Sequence, residues 1–195
     1  MRKLFVISAP SGTGKTTIAE KLKQKIKDIY VPVTYTTRKP RTEEIDARDY
    51  HFVSVESFRK MMKNGRLLEW AQVYGNYYGT PRDEVLENLK NNKKVLLTID
   101  TQGGLKIKKI FPDAVLIGLL PPSIAEQENR IRKRRGLSES EIKKRIEAAR
   151  KERKVLMSEY DFRFVNKNLE TTIQKIVRLI EKGTKLRCTT KTGQC

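Results

Sequence analysis

Residues 9–16, which read APSGTGKT, have the types and spacing to bind phosphate. This is the pattern of a P-loop, with alanine where the first glycine is usually found. Gly12 and Gly14 let backbone N–H groups approach a polyphosphate closely, and the helix that follows adds its positive N-terminal end. Lys15 can reach the β- and γ-phosphates, and the Thr16 hydroxyl can ligate Mg²⁺. The loop predicts binding of a nucleoside triphosphate and leaves the phosphate acceptor open.

A second group of polar side chains follows the loop and could hold that acceptor. Arg38 and Arg41 can make bidentate contacts to a phosphate, and Tyr50 and Tyr78 can donate phenolic O–H groups. Taken singly, the arginines are equally well explained as surface charges of a basic protein, and the tyrosines as strand packing. A carboxylate at Glu69, beside a tryptophan, could be a paired structural acid. The residue types alone leave these alternatives open.

The order of the segments is more specific. After the P-loop come TYTTRKPR at 34–41, DYHF at 49–52, LEWA at 68–71 and GNYYGT at 75–80, and together these resemble guanylate kinase. The likeness covers residues 3–182 and implies the reaction ATP + GMP ⇌ ADP + GDP, with ATP as donor and Mg²⁺ as cofactor. The resemblance assigns Glu69 to the N1–H and exocyclic amine of guanine. It assigns Thr34 and Thr80 to the O6 side, and Asp100 to the amine. The implied GMP-binding residues are Thr34, Arg38, Arg41, Tyr50, Glu69, Tyr78, Thr80 and Asp100.

Two further segments, RIRKRRG at 130–136 and KRI at 144–146, resemble the arginine-bearing lid of the same family. Arginines that close over the γ-phosphate would neutralise developing charge, although a basic solvated helix is the open alternative. Asn166 matches a family asparagine near the adenine. The implied ATP-binding residues are Ala9, Pro10, Ser11, Gly12, Thr13, Gly14, Lys15, Thr16, Thr17, Arg130, Arg134 and Asn166. The implied catalytic residues are Lys15, Arg38, Arg134 and Arg145.

The sequence departs from the family pattern at four places. Thr98 replaces the first of two aspartates in a buried strand, so any support of Mg²⁺ through water would come from a weaker neutral oxygen. Glu43, Ala47 and Arg135 stand where the family has glycines, which should stiffen loops without removing a ligand.

Strands alternate with helices along the chain, which predicts an α/β fold: a parallel sheet flanked by helices, a small β-rich acceptor-binding lobe and a helical lid. Strands are predicted at 3–8, 30–37, 50–53, 67–74, 77–79, 94–100, 114–120 and 162–166. Helices are predicted at 15–28, 55–63, 81–91 and 169–182, with Ser54 as the N-cap of the second, and with Thr80 as the cap and Pro81 as the first residue of the third. Two more helices begin at capping boxes at Ser123 and Ser138. The predicted organisation is one domain over 1–195, with a core at about 3–33 and 81–182, the lobe at 34–80, the lid at 123–150 and a polar tail at 184–195.

Composition narrows the function classes. The formal charge of +19 favours anionic partners, but the basic residues are spread along the chain and aromatic RNA-binding motifs are lacking, so we expect no dedicated nucleic-acid binding. No apolar run is long enough to span a membrane, and the short apolar N-terminus leaves no room for a signal core. Cys188 and Cys195 lie in the polar tail, which fits a reducing cytoplasm.

Two other functions would use the same fold. A related kinase acting on ribose 1,5-bisphosphate would keep the fold, but the guanine-binding set speaks against it. A non-catalytic scaffold module that holds phosphopeptides would have lost the P-loop, which is intact here. The expected partners are ATP and GMP, and the sequence leaves open whether the protein is a monomer or a homodimer.

Overall fold

The computed structural model describes residues 3–133 and 138–182, and within them the chain forms two sheets with helices between and around them. The strands are β1 Leu4–Ser8, β2 Ile29–Tyr30, β3 Tyr35–Thr36, β4 His51–Phe52, β5 Leu67–Val73, β6 Asn76–Pro81, β7 Lys94–Thr98, β8 Val115–Leu120 and β9 Phe162–Val165. The helices are α1 Lys15–Lys25, α2 Val55–Lys63, α3 Arg82–Lys90, α4 Thr101–Ile110, α5 Ile124–Arg132, α6 Glu139–Glu159 and α7 Leu169–Lys182.

The larger sheet has five parallel strands in the order β2-β7-β1-β8-β9, and β1 lies at its centre. Every residue of β1 is buried, because helices cover both faces of the sheet. Side chains alternate across a strand, so Phe5 and Ile7 pack against α1 and α7, whereas Val6 packs against α3, α4 and α6. Because β1 and β7 are parallel neighbours, their carboxyl ends lie at the same edge of the sheet, where the P-loop begins.

The smaller sheet has four strands in the order β4-β3-β6-β5 and is formed by chain between β2 and α3. β5 and β6 make an antiparallel hairpin in which Glu69 lies opposite Thr80 and Ala71 lies opposite Tyr78. This pairing places side chains from both strands on the side that faces the P-loop.

The alternation of strands and helices is confirmed, and α2 and α7 have their predicted bounds. Ser138 forms the full capping box, whereas Ser123 only accepts the Glu126 N–H, and the Glu126 carboxylate pairs with Arg130 instead.

Three local predictions were wrong. The strand predicted at 30–37 is split, because residues 31–34 leave the large sheet before β3 joins the small one. Pro81 is the N-cap of α3 rather than its first residue, and Thr80 belongs to β6. Helix α4 was not predicted at all, since its first turn contains two glycines.

Candidate active site

A cavity of about 420 Å³ opens between the edge of the large sheet and the small sheet. Its lining includes most of the predicted donor residues: Ala9, Pro10, Ser11, Gly12, Thr13, Gly14, Lys15, Thr16, Thr17 and Arg145. It also includes the predicted acceptor residues Thr34, Arg38, Arg41, Tyr50, Glu69, Tyr78 and Asp100, together with Thr98. Residues far apart in sequence thus share one space, as two substrates that exchange a phosphoryl group require. The predicted catalytic Arg134 and the substituted Arg135 lie outside the described residues.

The P-loop connects β1 to α1 and contains two glycines in the left-handed region. Gly12 and Gly14 have φ angles of +86° and +88°, a region that side chains disfavour, so glycine is required at both positions. The Thr13 hydroxyl donates to the Pro10 carbonyl at 2.8 Å and closes the turn. Gly14 is also the N-cap of α1, which places the positive end of that helix at the cavity.

Side chains outside the loop hold its carbonyl groups. The Gln127 amide donates to the Ser11 carbonyl at 3.1 Å, and the Asn166 amide donates to the Thr13 carbonyl at 3.0 Å. The Arg130 guanidinium reaches the Gly12 carbonyl at 3.4 Å. Arg130 and Asn166 are therefore placed against the loop backbone, and Gln127 is a bracing residue that sequence patterns did not reveal.

Lys15 is the first residue of α1, and it is partly buried where it lines the cavity. Its Nζ donates to the Ile99 carbonyl at 2.9 Å. Burial lowers the pKa of this ammonium, and the carboxylates of Asp100, Glu152 and Glu69 oppose that effect. The lysine thus sits where a phosphate could replace part of its lost hydration.

The predicted acceptor-phosphate arginines are joined by a carboxylate that sequence reasoning missed. Arg38 makes a bidentate pair with Glu44, at 2.9 Å and 2.8 Å, and the Arg41 backbone N–H donates to the same carboxylate at 2.8 Å. Burial alone would raise the pKa of Glu44, but these hydrogen bonds outweigh it, so the pKa lies below its ordinary value. The Arg38 guanidinium also lies 5.4 Å from the centre of the Tyr50 ring, whose edge meets Tyr78. Four of the predicted phosphate ligands therefore converge.

Glu69 lies at the opposite end of the small sheet and is only 6% exposed. Thr80 donates a hydrogen bond of 2.6 Å to its Oε1. Burial raises the pKa of Glu69 to about 7, the Thr80 hydrogen bond opposes the rise, and Asp100 adds to it. Each carboxylate oxygen has two lone pairs, so Glu69 can accept the Thr80 hydroxyl and still take two parallel N–H groups, one on each oxygen, as guanine presents.

Gly103, in the first turn of α4, explains how this carboxylate fits. A Cβ at that position would lie 2.7 Å from the Glu69 Oε2, so any side chain would displace the acid. Asp100 caps the same helix, and its Oδ1 accepts the N–H groups of Gln102 and Gly103 at 2.8 Å and 3.1 Å. Helix α4 therefore positions two predicted guanine-binding carboxylates, although its sequence did not predict a helix.

Glu152 of α6 is a second carboxylate that the sequence patterns missed. It lines the cavity, and its Oε2 is buried without a hydrogen-bond partner. Burial raises its pKa to about 7, while Lys15 opposes the rise and Asp100 adds to it. Only the packing of α6 against the P-loop reveals this group.

The oxygen atoms beside Lys15 fit a magnesium ion bound mainly by substrate. Thr16, Thr98 and Asp100 line the cavity together with Lys15, and they offer two hydroxyls and a carboxylate. Across residues 3–133 and 138–182, no cluster of three or more histidine, cysteine or acidic side chains could hold a metal alone. Mg²⁺ usually keeps several waters and binds through one or two protein oxygens plus phosphates, so this donor set suits it.

Comparisons with known proteins agree with this geometry. The family model described as guanylate kinase matches residues 1–183. The guanylate kinase of Caldanaerobacter subterraneus subsp. tengcongensis is 45% identical over 177 residues, which cover 91% of this chain and 85% of the relative. That of Clostridioides difficile is 42% identical over 177 residues, covering 91% and 86%. A crystal structure of guanylate kinase from Anaplasma phagocytophilum superposes with a TM-score of 0.78 at 30% identity, covering 95% of this chain and 87% of that one. Among the described residues, no helix is long and apolar enough to cross a membrane.

Proposed function

The chain belongs to the guanylate kinase family, and we propose that its cavity transfers the γ-phosphoryl group of ATP to GMP through the residues described above. The observation that carries the residue assignment is the single cavity that has a P-loop at one end and the buried Glu69–Thr80 pair at the other. The ribose-bisphosphate kinase and the scaffold module are not favoured, because the relatives are named guanylate kinase.

At the donor end, the loop of residues 9–17 binds the ATP phosphates with its N–H groups. Lys15 neutralises charge on the transferring group, and Arg145 closes over it. Arg130 and Asn166 hold the loop in shape. On the family resemblance, we also propose that Asn166 lies near the adenine of ATP. We also retain residues 123–150 as the lid, with Arg134 assigned to the donor by resemblance.

At the acceptor end, Arg38, Arg41, Tyr50 and Tyr78 bind the GMP phosphate. Because Glu44 already pairs with Arg38, the incoming phosphate joins a partly neutralised site rather than two bare cations. Glu44 thereby holds the Arg38 fork in place before the substrate arrives. We propose residues 34–80 as the acceptor-binding lobe.

Guanine is selected at Glu69. Its carboxylate accepts N1–H and the exocyclic amine, Thr80 and Thr34 face the O6 side, and Asp100 approaches the amine. Adenine has a lone pair at N1 and no amine at C2, so the buried carboxylate would face a lone pair and lose both N–H donors, which costs several kcal/mol.

Mg²⁺ would be held by the Thr16 hydroxyl and the nucleotide phosphates, with Thr98 and Asp100 reached through water. When bound, the ion neutralises phosphate charge and fixes the phosphates in line for transfer. Thr98 supplies a neutral oxygen where the family has an aspartate, so we propose weaker metal support from this chain. We also propose a cytoplasmic location, on the cysteine pattern, and no dedicated nucleic-acid binding.

A coupled assay with four acceptors at saturating ATP tests the proposal: GMP, AMP, UMP and ribose 1,5-bisphosphate. We expect GMP to be preferred by ~10³-fold or more in kcat/KM. Equal use of AMP, or preference for the sugar phosphate, would overturn the assignment of Glu69.

A further inference from the structure

One contact spans the cavity mouth and joins the two halves of the molecule. The Arg145 guanidinium carbon lies 4.3 Å from the centre of the Tyr74 ring. Arg145 is carried by α6, whereas Tyr74 lies at the turn between β5 and β6 of the small sheet. Both residues line the cavity. A side chain of the acceptor lobe is thus stacked on an arginine of the proposed lid.

The backbone does not explain why a tyrosine occupies this turn. Tyr74 and Gly75 have φ angles of +50° and +83°, and they connect the paired residues Val73 and Asn76. Two positive φ angles define a type I′ turn, whose first position is favoured by asparagine, aspartate or glycine. A tyrosine is strained there, and the residue remains 40% exposed, so the burial of its side chain offsets little of the strain energy.

The ring does, however, suit an arginine. A guanidinium over an aromatic face is attracted by the negative charge of the ring face, and the attraction strengthens as water is excluded. The position of Arg145 along α6 also directs its side chain toward the cavity. Arg145 lies seven residues, or two helical turns, before Glu152, so both side chains lie on the face of the helix that lines the cavity.

We propose that Tyr74 is a positioning residue for phosphoryl transfer, holding the Arg145 guanidinium over the cavity through this cation–π contact. The inference rests on the proposed role of Arg145 in neutralising charge during transfer. An arginine that is already oriented loses less side-chain freedom when the transition state forms, so the contact acts on kcat. Because Tyr74 belongs to the acceptor lobe, the contact also ties the position of the lid to that lobe.

The test compares three variants by steady-state kinetics with ATP and GMP. Tyr74→Leu and Tyr74→Asn remove the aromatic face, and we expect kcat to fall roughly 5- to 30-fold, with the KM values for both nucleotides changed less than threefold. Tyr74→Phe keeps the ring and should stay within twofold of wild type. Tyr74→Asn suits the left-handed backbone and should raise the melting temperature, so its loss of activity cannot come from unfolding.

A double-mutant cycle separates this inference from the proposed function. Arg145→Ala should lower kcat, and adding Tyr74→Leu to it should cause no further loss. If Arg145→Ala lowers kcat while Tyr74→Leu leaves it within twofold, the positioning role is wrong. If Tyr74→Leu lowers kcat equally in the Arg145→Ala background, Tyr74 acts on substrate directly and the proposal is also wrong. If Arg145→Ala has no effect, both residues lose their roles, while the use of GMP by the wild-type protein still stands.

Discussion

Glu69 is expected to reduce the stability of the folded protein in return for guanine selection. Its pKa is raised by burial from 4.5 to about 7. Because the folded pKa is higher than the unfolded one, the unfolded chain releases its proton first as the pH rises. The carboxyl group is therefore neutral and without penalty well below pH 4.5, and its full destabilisation is reached above pH 7. A shift of this size corresponds to about 3 kcal/mol.

Glu69→Gln removes the charge and keeps an oxygen that can accept the Thr80 hydrogen bond. Linkage predicts that the variant is more stable by about 1 kcal/mol at pH 5 and by about 3 kcal/mol at pH 8. The gain at pH 8 corresponds to a rise of ~6 to 12 °C in melting temperature for a chain of this size. Urea denaturation at the two pH values measures the free-energy differences, and thermal denaturation at pH 8 measures the shift in melting temperature, both followed by circular dichroism.

The same substitution should damage base selection. The glutamine amide presents a donor to the guanine amine, so kcat/KM for GMP should fall strongly and the gap to AMP should narrow, while the KM for ATP stays unchanged. In the wild type, kcat/KM for GMP should decline as the pH falls through about 7, because protonation removes the acceptor from Glu69. The variant lacks this group and supplies the baseline for titration of the GMP phosphate, whose second pKa is near 6.

The reasoning would be refuted by either half of the experiment. If the gain in stability over the wild type is no larger at pH 8 than at pH 5, the carboxyl is not penalised by burial. An unchanged GMP/AMP ratio would show that Glu69 does not read the base.

Four further substitutions test other parts of the molecule. Lys15→Ala should leave a folded protein and lower kcat by at least ~10³, because it removes charge from the transferring phosphoryl group; steady-state kinetics within tenfold of wild type would contradict the P-loop assignment. Arg38→Ala and Arg41→Ala should each raise the KM for GMP at least ~10-fold and leave ATP binding nearly intact, as measured by isothermal titration; equal losses for both nucleotides would place these arginines elsewhere. Ala47→Gly should raise the free energy of unfolding by about 0.5 to 1 kcal/mol, because Ala47 has a φ of +60°, and an unchanged urea midpoint would contradict that strain.

Much of the fold was predictable because its determinants are local. The apolar runs of β1, β7 and β8, the Ser54 and Ser138 caps and the glycine pattern of the P-loop each act within a few residues. Helix α4 was missed because two glycines at its start lower helix propensity. They are required by tertiary packing, since a Cβ at Gly104 would lie 2.2 Å from the Tyr160 hydroxyl oxygen.

At the candidate site, too, some features follow from the local sequence and others only from the tertiary structure. The sequence by itself determined which side-chain types were available, and the order of its segments indicated guanylate kinase. Only the tertiary structure decided which of those groups lie beside one another: Glu44 beside Arg38, Glu152 near Lys15, and Tyr74 under Arg145. Desolvation and contact depend on chain segments brought together from far apart, such as those of Tyr74 and Arg145, which are 71 positions apart in the sequence. Local sequence patterns do not show which distant segments meet. The raised pKa values of Glu69 and Glu152, and the contacts of Arg38 with Glu44 and of Arg145 with Tyr74, therefore could not be predicted from them.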